Sequence, residues 1–274
     1  MPDVANQPPA LRARGFGAAG SVAYWRGDPD ATHRHYAAAL EDARRSDDRA
    51  ILAEALYNFA FATQIAPIRD PEAYKIGTSA VNEALELYHE LGDQSGIAGA
   101  SWALGTGALM LGDYDGARTN LTESLSAYRA LGDPFGTGWA LHELATVAVL
   151  EGDLDAGERM FREALDTLWA TADLSAVVLI LFAFTTIARQ RGQLDRYWRL
   201  GGAARALQER TGTDLPAATA SLFGIDWPSR PDADRAAVKS WDEGAALTVE
   251  DAVAYARAGA APEPSHGPDP SPRT

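Results

Sequence analysis

Cysteine is absent from the 274 residues, which excludes a disulfide framework, a thiolate nucleophile and a thiolate metal site. That lack suits a reducing compartment, so the expected location is cytoplasmic. Basic charge is scarce as well, with 24 Lys and Arg against 38 Asp and Glu and a net charge of −14. Such a surface repels a phosphate backbone, and no direct nucleic-acid partner is expected. Long apolar runs are also missing. The stretch MPDVANQPPALRARGFG holds no apolar run of the kind a secretory signal needs, and the most apolar segment, Ala176 to Ala188, falls short of the roughly 20 residues that cross a bilayer. That segment reads as a helix buried on most of its faces, and no membrane partner is expected.

Catalytic signatures are thin. The chain has five histidines, which leaves few acid-base dyads, and neither G-x-S-x-G nor G-x-x-x-x-G-K-[ST] occurs. Gly15-Phe16-Gly17-Ala18-Ala19-Gly20 spells G-x-G-x-x-G, but that fingerprint cradles phosphate only between a strand and a helix, and the preceding residues are proline-rich and then basic. The glycines read as part of a first, loosely packed repeat helix. His142-Glu143 begins H-E-x-x-H, yet Thr146 stands where the second imidazole belongs. His33 and His35 lie two apart on a helix and face different sides. No metal and no cofactor are expected.

What is present is repetition. LGDYDGARTNL begins at Leu111, EGDLDAGERMF at Glu151 and the looser RGQLDRYWRLG at Arg191. The register carries Asp93, Asp133 and Asp173, then Gly112, Gly152 and Gly192, then Asp115, Asp155 and Asp195, all at intervals of forty. Apolar spacing is helical on both sides of each glycine: Leu104, Ala108 and Leu111 precede, and Ala117, Leu121 and Leu125 follow. Each unit is therefore a helical hairpin, with glycine ending the first helix and aspartate capping the second. One amphipathic face per hairpin stays uncovered unless neighbours stack.

Earlier copies use Ala53 to Gln64 with Val81 to Leu91, and Gly15 to Trp25 with Ala31 to Arg44. The expected organisation is a flexible stretch over 1–14, a solenoid of about five hairpins over 15–210, and a helical cap over 211–258. The cap holds short helices near Pro216 to Phe223, Asp232 to Glu243 and Val249 to Ala258, and Thr248 with Asp251 forms a capping box. A proline- and serine-rich tail over 259–274 is expected to be disordered.

The segment AEALYNFAFATQ (Ala53 to Gln64), followed by the GDYDGA-type corner, resembles the tetratricopeptide repeat family. The small residues Gly105 and Ala145 in first helices, and Ala117, Ser124 and Ala164 in second helices, fall where that family packs helices closely. The resemblance implies an all-α, right-handed superhelical solenoid. The unit departs from the common form of about 34 residues, and it lacks the proline that usually ends the second helix. Tyr197 stands where a small residue is expected. LGGAARALQERTG (Leu200 to Gly212) and SWDEGAALTVEDAVAYA (Ser240 to Ala256) narrow the likeness: they are similar to the C-terminal repeat region of large bacterial ATPase-type transcriptional regulators. In that group repeats sense an effector or partner while other domains hydrolyse nucleotide and bind DNA. The resemblance thus implies a detached sensing or scaffolding module.

Carrying the family's inner positions onto this chain gives a row of flat side chains, Tyr57, Trp102, His142 and Phe182, and a parallel track of Phe61, Thr106, Thr146 and Thr186. Trp139, Glu54 and Arg189 adjoin them. Lining a concave groove, such rings stack on a peptide or an effector molecule while hydroxyls orient it. The same rings serve equally as core between neighbouring hairpins. The favoured function is a non-catalytic scaffold or sensor that binds a partner peptide, a protein or a small effector, with a regulatory role. Two alternatives stand beside it. One is an enzyme with His142 as general base, assisted by Glu143 or Glu54; the other is self-association, as a homodimer, through the apolar helix at Ala176 to Ala188.

Overall fold

The computed structural model describes residues 6–26, 28–65, 71–212 and 228–259. Its described residues form helices and no strand, as the hairpin pattern requires. In chain order the helices are α1 (Pro9–Trp25), α2 (Pro29–Ala43), α3 (Arg49–Ile65), α4 (Pro71–Leu91), α5 (Gln94–Leu111), α6 (Tyr114–Leu131), α7 (Pro134–Leu150), α8 (Leu154–Ala170), α9 (Leu174–Gln190), α10 (Leu194–Thr211), α11 (Arg235–Ala245) and α12 (Val249–Ala258). Helix α1 starts at Pro9, ahead of the expected Gly15, because Pro at the first helical position has no amide to leave unsatisfied. The helix expected near Pro216 to Phe223 and the expected disordered tail fall largely or wholly outside the described residues. The chain divides into two compact units, Met1–Val147 and Ala148–Thr274.

The corners explain the period. Gly92, Gly112, Gly132, Gly152, Gly192 and Gly212 all have positive φ, between 64° and 89°. At each well-formed corner the next amide reaches back to close the helix end, as when Asp113 N–H donates to the Ala108 carbonyl at 2.9 Å. The aspartate then caps the following helix. Asp93 accepts from Gly96 N–H, Asp113 from Gly116, Asp133 from Gly136, Asp153 from Ala156 and Asp173 from Ala176. The two registers seen in the sequence are thus one device, which from α4 to α9 recurs between successive helices and not only within each hairpin. Ala172 occupies the corner where the series calls for glycine and is strained at φ 58°.

Within the first unit, second-helix tyrosines lock onto the next first helix. A Cβ on Gly96 would lie 2.2 Å from the Tyr88 ring, and one on Gly136 would lie 2.3 Å from the Tyr128 ring. Glycine is what admits the rings. Gly105 admits Leu121 in the same way, and Ala117, Ser124 and Ala145 are fully buried, as the small-residue positions require. Gly20 of the glycine-rich stretch lies mid-helix under the Tyr36 ring, which settles its packing role. His33 meets Phe59 and His35 meets Phe16, so the two imidazoles diverge.

In the second unit α9 is buried from Ala176 through Thr185 and again at Ile187 and Ala188, leaving no apolar stripe for a second copy. No described helix is long and apolar enough to cross a membrane. Tyr197, despite its size, is buried against Trp198 with ring centroids 4.6 Å apart. The cap crosses α10 at near backbone contact: a Cβ on Gly202 would meet the Trp241 carbonyl oxygen at 2.1 Å, and one on Gly244 would meet that of Arg199 at 1.9 Å. Arg196 ties down α12 by donating to the carbonyls of Tyr255, Ala256 and Gly259. Thr248 caps α12 by accepting from Asp251 N–H, as the capping box predicts.

Candidate functional site

The expected inner positions fall into distinct environments. Tyr57, Trp102 and Trp139 are half-buried, whereas Thr106, His142 and Thr146 are buried in the first unit. In the second unit Phe182 is fully buried with the Arg205 guanidinium 5.8 Å from its ring centroid, Thr186 is half-buried and Arg189 is exposed. Glu54 is exposed on α3, and the Phe61 side chain lies outside the described residues.

In the first unit these residues meet through one contact. The Thr106 hydroxyl on α5 lies 2.6 Å from Glu143 Oε2 on α7 and 3.0 Å from the Trp102 carbonyl oxygen. One turn before that contact stand Trp102 on α5 and Trp139 on α7, each four residues ahead of its partner and so on the same helix face. One turn earlier again, the Tyr57 and Tyr128 hydroxyls approach Gly99, each 3.6 Å from where its Cβ would sit. Trp139 also packs edge-to-face on His142 at 5.5 Å and on the exposed Phe135 at 6.3 Å.

Burial sets the electrostatics. It raises the Glu143 carboxyl to about 8, against a smaller opposing pull from the Thr106 hydrogen bond. It lowers the His142 imidazole to about 4 and raises the Tyr57 phenol. At neutral pH the carboxyl is therefore mostly protonated and the imidazole uncharged. The Thr106 hydroxyl donates to Glu143 Oε2 and also faces the Trp102 carbonyl oxygen. His142 and Glu143 are only 2% and 4% exposed, which denies both the water-facing edge that a general base presents to substrate.

The indole Nε1 atoms of Trp102 and Trp139 are buried and make no hydrogen bond among the described residues. A buried N–H without an acceptor is costly, by about 1–3 kcal/mol. Glu143 was seen in the sequence only as a companion of His142. Its actual partner, Thr106, lies 37 positions earlier, one helical turn out of the forty-residue register, which is why alignment of like positions missed it. Two open hollows of about 610 and 420 Å³ lie on α1 and α2 around Ala19 and His35, and neither includes a residue of the expected row. Among the described residues no three His, Asp or Glu side chains gather as metal ligands.

Residues 96–168 match the tetratricopeptide repeat family model. The repeats are tetratricopeptide-like. That likeness extends over most of the chain in solved structures, although none is close in sequence. A Rap protein complexed with Competence and Sporulation Factor superposes with a TM-score of 0.68 at 16% identity, covering 86% of this chain and 64% of its own. Aspartyl phosphate phosphatase F from Bacillus subtilis gives 0.64 at 15% identity, covering 85% of this chain and 59% of that one. BtubC from P. vanneervenii gives 0.60 at 14% identity, covering 76% and 84%. This chain thus spans about three-fifths of the length of the first two. No curated protein matches its sequence. At such identities the tetratricopeptide-like arrangement of helices is what is shared.

Proposed function

We propose that the protein is a non-catalytic helical-repeat module that captures a partner protein or peptide on the face built by Tyr57, Trp102 and Trp139. The observation that carries this reading is the pair of buried indole N–H groups without acceptors, on rings that are themselves half-exposed. An extended peptide supplies carbonyl acceptors at short intervals and apolar surface for the rings. The Rap structure supports the reading, since a protein with a similar arrangement of helices is complexed there with Competence and Sporulation Factor. The likeness of Leu200 to Gly212 and Ser240 to Ala256 to bacterial ATPase-type regulators supports a regulatory, cytoplasmic role.

Peptides selected from a random library against the protein are expected to bind Trp102→Phe and Trp139→Phe about tenfold more weakly each, since the phenyl ring keeps the packing and loses the N–H. The melting temperature should stay within a few degrees of the parent. Equal affinity for parent and both variants would remove this face from the binding site, and a library that yields no binding peptide would overturn the capture reading.

A further inference from the structure

Helix α1 turns one side toward its own unit and leaves the other bare. Ala13 packs with Ile51 and Ala55 of α3, while His33 of α2 meets Phe59 of α3. On the opposite side of α1 stand Leu11, Gly15, Ala18 and Val22, spaced so that they form one stripe. Among the described residues α1 packs against α2 and α3, and neither covers that stripe: Leu11 is 55% exposed and Val22 53%. Both open hollows lie along it. The one of about 420 Å³ is beside Leu11 and Gly15, the one of about 610 Å³ is beside Ala18 and Val22, and Ala19 and His35 line both. Glycine inside a helix is destabilising relative to alanine unless the freed space is used. Gly20 admits the Tyr36 ring and Gly105 admits Leu121, whereas a Cβ on Gly15 would meet nothing within 4 Å. The space at Gly15 is a socket that a single chain leaves open.

We propose that this side of α1 and α2 receives a second copy of the chain, forming a two-fold dimer through the first hairpin. The stripe is complementary to itself. Set antiparallel about a point between Phe16 and Gly17, two copies of α1 oppose Leu11 to the partner's Val22 and Gly15 to the partner's Ala18. Each exposed side chain then enters the hollow beside its counterpart, and the small pair at the centre lets the two backbones approach. Charge favours the same direction. Helix α1 begins at Pro9 with no side-chain cap and no acid in its first turn, so its positive end lacks a carboxylate. The antiparallel pairing brings the partner's α1–α2 corner alongside that end, with the partner's Asp28 and the partner's Asp30. A parallel pairing would set those acids against each other. The interface shares no residue with the Tyr57, Trp102 and Trp139 face, so the dimer carries two copies of that face.

The test is sedimentation of the whole chain over a wide range of concentration, in which the parent is expected to pass from one species to another of twice its mass. Gly15→Gln fills the socket with a side chain that a single copy accommodates in open space. It should weaken the dimer about tenfold or more without lowering the melting temperature, measured at a dilution where the parent is monomeric. Leu11→Gln removes the side chain that enters the partner's hollow and should weaken the dimer likewise. Cysteine, absent from the chain, reads the direction of pairing. In the double variant Leu11→Cys, Val22→Cys the two sites lie about 16 Å apart along one helix, too far for a disulfide within a chain. Oxidation is therefore expected to link copies of the double variant and to leave each single variant largely unlinked. A parent that stays monomeric at every concentration overturns the proposal, as does a dimer that Gly15→Gln and Leu11→Gln leave unchanged. Single variants that link as readily as the double one overturn the antiparallel pairing.

Discussion

Replacing Gly244 by alanine is expected to lift α11 from α10 and to lower the stability of the second unit by about 3 kcal/mol. The added methyl would fall 1.9 Å from the Arg199 carbonyl oxygen, and that oxygen belongs to a helical backbone that has no rotamer to change. Gly202 faces the same crossing from the other side, 2.1 Å from the Trp241 carbonyl oxygen. Gly202→Ala should therefore cost a similar amount, and the double variant little more than either single one, because both parts of the contact are lost together. Urea denaturation followed by tryptophan fluorescence checks this, since Trp198 and Trp241 lie 6.4 Å apart across the crossing. Additive losses would mean that the two glycines do not share one interface.

The stability of the parent protein is expected to fall as pH rises from 6.5 to 8, by about 2 kcal/mol, and Glu143→Gln should abolish that fall. In the folded chain Glu143 holds its proton up to about 8, whereas the unfolded carboxyl releases it near 4.5. The folded state thus binds more protons between those values, so the contribution is complete below pH 4.5 and is lost as pH climbs toward 8. His142 acts in the opposite sense: its folded value of about 4 lies below the ordinary 6.5, so stability rises with pH across that window and is flat above it. The two effects oppose each other between about 4.5 and 6.5, and only the carboxyl acts from there to 8. Denaturant midpoints for parent and variant at four pH values separate the contribution of Glu143 from that of the remaining acids.

The architecture was legible because its corners are chemical. Glycine at left-handed φ followed by a capping aspartate is a local requirement, so Gly112-Asp113 and Gly152-Asp153 declared themselves in the sequence. The corners after second helices showed through Asp93 and Asp133, whose glycines, Gly92 and Gly132, take the same left-handed φ. The close helix approaches at Gly105, Ala117 and Ser124 were legible for a similar reason, since small residues at fixed offsets have few other uses.

The site was only partly legible. Register placed Tyr57, Trp102 and His142 in one row, but burial is decided by neighbours distant in sequence, and it leaves Trp102 half-exposed while enclosing His142 and, in the other unit, Phe182. The Thr106 and Glu143 contact depends on how α5 and α7 settle against each other, a tertiary fact that no forty-residue offset encodes. Asp42 and Glu158, the other buried acids among the described residues, have arginine partners up to 38 positions away, whereas Glu143 has the Thr106 hydroxyl.

The reading of this site turns on whether Glu143 keeps its proton inside the fold. The direct measurement is the carbon-13 shift of the Glu143 carboxyl, assigned by comparison with Glu143→Gln and followed from acid to alkaline pH. A midpoint near 8 is the predicted result; a midpoint near the ordinary 4.5 would place the carboxylate in water and contradict the account.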